Sequence, residues 1–315
     1  MKSLIADTII LFVSLLILAK CSHLVVDNTL KLAKFFRIGE MTVGFILLSV
    51  STSLPELAVA VVSTPAGQGS ISIGNVIGSN IADILVVIGA CAMIATIRIK
   101  KDEMLELIRL LFITSMIPLI LLLRNEFGWV EGLILLCIFA GYIYYLFKKE
   151  VNLGISEEVS KKNASYAFLY FALGTIGVLV SARFTVDSAV RIADTFSLSK
   201  SLIGATIIAL GTSLPELAID TAAVRKGNIK LALGDAVGSC MTNLTLVLGV
   251  TGLLSQSTFN ITVVSSLIIF LLITNLLFWY FLETRRKLNR KEGMMFLLLY
   301  MIFLIAEFAL QIRLR

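Results

Sequence analysis

Apolar stretches close to twenty residues long follow one another along the chain, at about 3–20, 41–63, 71–95, 104–123, 128–147, 164–183, 201–223, 231–254, 260–282 and 293–311. A helix of that length spans the roughly 30 Å hydrocarbon core of a bilayer. The pattern predicts an all-α membrane protein of ten transmembrane helices joined by short polar turns. Little is left over for a soluble domain, which argues against ATP-driven pumping by this chain alone. The opening "MKSLIADTIILFVSLLILAKCS" has the basic start and cysteine of a lipoprotein signal. Lys20 beside that cysteine and Asp7 within the run argue against cleavage, so it is read as the first helix.

A shift of 160 residues lays the chain on itself without a gap. "VVDNTLKLAKFFRIGEMTVGFILLSVSTSLPELA" falls on "TVDSAVRIADTFSLSKSLIGATIIALGTSLPELA", and "GNVIGSNIADILVVIG" on "GDAVGSCMTNLTLVLG". The phrase "TSLPELA" thus occurs twice, as Thr52–Ala58 and Thr212–Ala218. Each half holds five spans, an odd number, so the second half must enter the membrane in the opposite sense. The expectation is two inverted five-helix repeats, 1–147 and 164–315, with matching cores at about 41–95 and 201–254. The polar stretch 148–163 is read as a cytoplasmic linker between them.

Composition agrees with this picture: 58% of residues are hydrophobic and 15% charged, against about 25% charged in ordinary proteins. Of the 27 Lys and Arg, 20 fall in the five loops on one side. The positive-inside rule puts those loops in the cytoplasm and both termini outside. These loops account for the net charge of +6, so no nucleic-acid partner is implied. Cys21, Cys91, Cys137 and Cys240 follow no metal or disulfide spacing and read as free thiols. His23 stands without a partner, which argues against a site of nitrogen and sulfur ligands. Lack of a transit peptide favours a prokaryotic inner membrane.

Polar residues inside the spans carry the chemistry. The second span holds Ser49, Ser51, Thr52, Ser53 and Glu56 around Pro55, and the third holds Asn75, Ser79, Asn80 and Asp83. The second half offers Thr212, Ser213 and Glu216 around Pro215, then Asp235, Ser239, Thr242 and Asn243. A carboxylate at the bilayer centre costs roughly 2.5–3.5 kcal/mol, so Glu56, Glu216 and Asp83 call for a cation or proton to offset them. Oxygen donors without sulfur or imidazole suit Ca²⁺, which takes about six to eight oxygens in flexible geometry. Na⁺ would compete for the same oxygens. Most of the Ser and Thr are equally read as helix-packing residues; the two glutamates, matched beside a proline in both halves, are not. Asp220 reads as a vestibule residue or a partner of the loop at Arg225 and Lys226. Asp7 and Glu307 read as solvated near membrane surfaces, and Trp129 and Trp279 as interfacial anchors.

These residues resemble the cation/Ca²⁺ exchanger superfamily, whose two α-repeats carry G-T-S-x-P-E and G-N-x-x-G-S-x-x-x-N/D, and among its members the prokaryotic Na⁺/Ca²⁺ exchangers. The resemblance implies a secondary antiporter, not an enzyme, working by alternating access without a cofactor. It implies that Glu56 and Glu216 are ligands shared by Ca²⁺ and Na⁺. Thr52, Ser53 and Ser79 would form one flanking Na⁺ position, and Thr212, Ser213 and Ser239 its mate. Backbone carbonyls near Ser49 and Ala209 would add ligands at the helix breaks, with Asp83 and Asn243 flanking the centre. Long, tilted first and sixth spans, with the matched extensions "VDNTLKLA" and "VDSAVRIA", would slide over a fixed core. The chain departs from the family pattern at Asp83 and Asn243, whose order is reversed, at Ser51 in place of Gly, and at Asp235 in place of Asn. A proton- or K⁺-coupled exchanger stays open beside the Na⁺/Ca²⁺ reading, as does an uncoupled cation channel. A single chain in the bilayer suffices for the scheme.

Overall fold

The computed structural model describes residues 2–35, 48–99, 102–122, 127–148, 161–255 and 264–313. In chain order the helices are α1 (Lys2–Phe35), the short α2 (Ser49–Thr52) and α3 (Leu54–Ser63), α4 (Gly69–Ile94), α5 (Asp102–Leu122) and α6 (Trp129–Lys148). There follow α7 (Lys161–Phe196), the bent pair α8 (Lys200–Thr212) and α9 (Leu214–Arg225), α10 (Ile229–Leu254), α11 (Ser265–Arg285) and α12 (Arg290–Arg313). Among the described residues seven helices are long and apolar enough to cross a membrane, or eight when α8 and α9, bent by 40°, count as one span. The chain is an all-α membrane protein. Two predicted spans lie outside that count: the second, met by the pieces α2 and α3, and the fourth, met by α5. The start of the second span (41–47), the start of the ninth (260–263) and most of the linker 148–163 lie outside the described residues.

Helices α4 and α10 form the middle of the molecule, with 78% of each membrane-length window buried against 22–39% for the other single-helix spans. Glycines bring their backbones close to their neighbours. A Cβ on Gly74 would stand 2.1 Å from the Ser201 carbonyl oxygen, and one on Gly78 2.2 Å from that of Ala205. These two glycines, four residues apart, seat α4 on α8 at backbone contact. A second seam joins α10 to α6, where a Cβ on Gly252 would lie 2.7 Å from the Gly128 oxygen. A third joins α4 to α12, where one on Gly293 would lie 2.8 Å from the Gly89 oxygen.

Helices α1 and α7 are 34 and 36 residues long. At 1.5 Å per residue they measure roughly 51 and 54 Å, well beyond the bilayer core, so each must tilt steeply or project from it. The predicted spans 3–20 and 164–183 cover only part of each. The two helices share a satellite core in which Leu11, Leu15, Leu18 and Val25 meet Val178, Ala182, Val186 and Ala189. Thr185 donates a hydrogen bond to Ser14 at 2.9 Å within it. Ile9, Phe12 and Leu16 of α1 and Phe168 and Ile176 of α7 face outward, as lipid-facing residues do.

Two expectations about acidic residues are corrected here. Asp7 is not simply solvated: Arg191 of α7 donates to it at 2.6 Å, pairing the ends of the two long helices. Glu307 is only 5% exposed and accepts a hydrogen bond from Ser266 at 3.0 Å. Trp129 is exposed at the start of α6, whereas Trp279 stacks on Phe112 with ring centroids 5.3 Å apart. A two-residue antiparallel ladder pairs Ile97 with Leu288 and Arg98 with Lys287, tying the turn after α4 to the turn after α11. All four cysteines are free.

The glycine seam yields a test. Gly78→Val should lower the thermal midpoint of detergent-solubilised protein by several degrees or abolish a monodisperse elution peak, because its Cβ meets rigid backbone. Gly141→Ala, with nothing within 4 Å of the added atom, should leave both measurements unchanged.

Candidate functional site

The repeated phrase breaks a helix at the same place in each half. Ser53 leaves helical geometry at φ −77°, ψ 3°, and Ser213 at φ −82°, ψ 4°. The helix resumes at once with a proline at its start. Proline brings no N–H, so the acceptors it forsakes are the carbonyls four residues earlier, Ser51 and Gly211. Glu56 and Glu216 fall in the first turn of the resumed helices, where the positive end of the helix dipole favours a carboxylate. Both glutamates are 0% exposed, and none of their four carboxylate oxygens has a hydrogen-bond partner.

The second motif supplies the facing wall. In α4 an α-helical stretch gives way to a π-helical turn at Asp83–Ile88, and in α10 to one at Asn243–Val247. The residue that opens each turn is the last polar residue of its motif. Such wide turns re-aim the side chains that follow and are frequent at functional sites. Asp83 and Asn243 are 0% exposed, and Asp83 Oδ1 and both polar atoms of the Asn243 side chain are unpartnered.

Hydroxyl groups join the two halves crosswise. Thr52 and Ser239 share a hydrogen bond of 2.8 Å, and Thr212 and Ser79 one of 3.2 Å. Thr52 also donates to Asp235 at 3.2 Å, and Thr212 donates to Asn75 at 3.2 Å. The expected grouping of Thr52 with Ser79, and of Thr212 with Ser239, is therefore not the hydroxyl pairing in this fold. Each broken helix meets the second motif of the other half, because α2 packs on α10 and α8 on α4. Ser53 and Ser213 are buried with unpartnered hydroxyls.

The carbonyls of Ser49 and Ala209 remain in helical bonds, accepting from Ser53 N at 3.1 Å and Ser213 N at 3.0 Å. Each also lies within reach of a threonine hydroxyl, Ser49 of Thr52 at 3.2 Å and Ala209 of Thr212 at 3.1 Å, whose single hydrogen is shared with Asp235 and Asn75 respectively. They are not stripped of partners as the helix-break argument expects, since the missing proline donor belonged to the residues two further on.

Asn75 and Asp235, repeat mates already counted among the polar residues of the spans, accept hydrogen bonds from the two threonines, and Asp220 joins them from outside that set. Asp220 is neither a vestibule residue nor paired with Arg225 or Lys226: it is 0% exposed, neither oxygen has a hydrogen-bond partner, and it sits in the electrostatic field of Asp235 and Asp83. Its spacing of four from Glu216 puts both on one helix face, the signal that could have found it. Asp83 and Asp235 act in the same way on Glu216, as does Glu56. Among the described residues no three acidic, cysteine or histidine side chains converge closely enough to chelate one metal ion. The arrangement offers instead two glutamates surrounded by neutral hydroxyl, amide and carbonyl oxygens, a donor set for hard cations.

A model of the family described as "Sodium/calcium exchanger protein" matches residues 7–148 and 166–309. An uncharacterized membrane protein of Methanocaldococcus jannaschii is 31% identical over 274 residues, covering 86% of this chain and 88% of its own. The sodium/calcium exchanger MaX1 of Methanosarcina acetivorans is 26% identical over 349 residues, covering 95% and 98%. The structure of the sodium-calcium exchanger NCX_Mj soaked with 10 mM Na⁺ and 10 mM Sr²⁺ superposes with a TM-score of 0.69 at 29% identity, covering 95% of this chain and 97% of that one.

The crosswise pairing is testable by a double-mutant cycle. Thr52→Val and Ser239→Ala should couple by about 0.5–1.5 kcal/mol in unfolding free energy, while Thr52→Val and Ser79→Ala should add to within roughly 0.5 kcal/mol.

Proposed function

The chain belongs to the sodium/calcium exchanger protein family, a family of transporters and not of enzymes, and from that premise we propose that it exchanges Na⁺ for Ca²⁺ across a membrane. The observation that carries this reading is the pair of fully buried, unpartnered glutamates at matched helix breaks. Two carboxylates buried among neutral polar groups, with no hydrogen bond to satisfy them, call for a cation or a proton. Ca²⁺ and Na⁺ would reach the same oxygens in turn, and the carboxylates would favour movement of the neutralised site over the empty one. Alternating access then couples the two ions.

The proposed architecture is ten spans in two inverted five-helix repeats, 1–147 and 164–315, about cores at 41–95 and 201–254. Both termini lie outside the cytoplasm of a prokaryotic inner membrane, and the linker 148–163 lies within it. The family match in two blocks, one on each half, supports this division, as do helix breaks and π-helical turns at positions 160 residues apart. Glu56 and Glu216 are the proposed central ligands, with Ser53 and Ser213 beside them and the pairs Thr52–Ser239 and Thr212–Ser79 as flanking positions. Asp83, Asn243 and the carbonyls of Ser49 and Ala209 complete the set. Helices α1 and α7, packed on each other in a cluster that also takes in residues of α3, α4 and α8, are the part proposed to slide. The buried Asp220 and Asp235, outside the symmetric set, favour as a second reading an exchanger whose cycle also takes up a proton or K⁺.

Purified protein in Na⁺-loaded vesicles diluted into Na⁺-free buffer should take up radioactive Ca²⁺. Glu56→Gln and Glu216→Gln should each lower apparent Ca²⁺ affinity about ten- to a hundredfold, the loss expected for a charged ligand worth roughly 1.5–3 kcal/mol. Uptake driven by a pH gradient and indifferent to Na⁺ would replace the coupling ion. A conductance independent of any counter-ion would replace the antiporter with a channel.

A further inference from the structure

The cluster contains one donor that an oxygen cage does not call for. Cys240 stands where the repeat has Asn80, so a thiol occupies one half and an amide the other. Buried cysteines commonly serve as small apolar fillers, and Cys240 does pack within the main hydrophobic cluster, but its thiol also meets two oxygens. Its Sγ lies 3.9 Å from Asp83 Oδ2 and 3.9 Å from the Asn80 carbonyl oxygen. Independently of the thiol, Asp83 Oδ1 is buried without a partner, as are both polar atoms of the Asn243 side chain, one helical turn from Cys240.

The spacing fits a metal between these atoms. Tetrahedral Zn²⁺ has bonds of about 2.3 Å to sulfur and about 2.0–2.2 Å to oxygen, which sets sulfur and oxygen roughly 3.5–3.7 Å apart. Both measured separations exceed that by a few tenths of an ångström. Cd²⁺, the larger thiophilic ion of the same charge, lengthens both bonds and brings the expected separation closer to them. Soft thiolate ligands select such metals over Ca²⁺.

We propose that Cys240, the Asp83 carboxylate and the Asn80 carbonyl form a soft subsite within the cation site, which binds thiophilic divalent ions of the Zn²⁺ and Cd²⁺ class. The proposal rests on reading this cleft as a cation site. Binding forms a metal–sulfur bond as the Sγ–H proton leaves to solvent. The ion's two positive charges are then met by the thiolate and the Asp83 carboxylate. An ion seated there stands among the oxygens proposed for Ca²⁺, so Ca²⁺ in excess must displace it.

The test uses full-length purified protein in which Cys21, Cys91 and Cys137 are replaced by alanine, leaving Cys240 alone. Titration with Cd²⁺ should raise a thiolate-to-metal charge-transfer band in the ultraviolet, saturating at one ion per chain. Further replacement Cys240→Ser should abolish it, Asp83→Asn should weaken Cd²⁺ binding about ten- to a hundredfold, and excess Ca²⁺ should remove it. Should the triple replacement not fold, the band present in the unaltered chain and lost in Cys240→Ser alone gives the same answer. A band that never forms with Cys240 present, one that survives Cys240→Ser, or one that Ca²⁺ leaves untouched overturns the proposal. Because this readout needs no transport, a protein that binds Cd²⁺ as expected but shows no Na⁺-driven Ca²⁺ uptake would count against the exchange reading and not against the subsite.

Discussion

Two carboxylates buried in the middle of the molecule with no hydrogen bond to satisfy them are the constraint around which this molecule is arranged. Glu56 and Glu216 are 0% exposed and unpaired, and leaving a charge in such a place costs several kcal/mol unless something offsets it. The surrounding structure answers that cost piece by piece. Proline opens a helix just before each glutamate, so each carboxylate meets the positive end of a helix dipole. The π-helical turns beginning at Asp83 and Asn243 re-aim a second set of polar groups on the facing helices. Hydroxyls of one half bridge to the other half, so that neither broken helix is held by its own repeat alone.

Holding these oxygens in place requires a stiff frame in a medium that gives helices little hydrophobic reason to associate. Glycine provides it: the seams at Gly74 and Gly78, at Gly132 and Gly252, and at Gly89 and Gly293 place backbone on backbone. Any side chain there would part the helices that carry the site. Helices α1 and α7 use glycine as well, at Gly174 and Gly177 against Cys21 and Val25, together with aliphatic contacts, the Thr185–Ser14 hydroxyl pair and the Arg191–Asp7 ion pair. These two helices also touch the centre, through Ala58, Val59, Ile71, Ile203 and Ile208 in the same cluster and through Ser51, which donates to Thr29 at 3.0 Å.

Much of the candidate site was legible in the sequence because a seven-residue phrase recurs at a constant offset, and a recurring glutamate in an apolar run has few physical explanations. The partners of those residues were not legible. The family resemblance grouped Thr52 with Ser53 and Ser79 in one Na⁺ position; the hydroxyl that Thr52 bonds in the fold is that of Ser239, since α2 packs on α10 and α8 on α4. Asp220 gave a charge pattern pointing towards a basic loop, yet it is buried beside Asp235. Cys240 read as one of four scattered thiols until its distance to Asp83 was known.

What the chain determines by itself is whatever depends on local periodicity and duplication: apolar runs of membrane length, the helix breaks that Pro55 and Pro215 impose, and the paired glutamates behind them. These follow from hydrogen-bond geometry along one strand of backbone, which neighbours in sequence settle. Tertiary structure alone decided which hydroxyl meets which across the halves, and which acids end up without a partner. Those outcomes depend on how closely two helices approach, and that distance is set by side-chain volume at contacts more than a hundred residues apart in the chain.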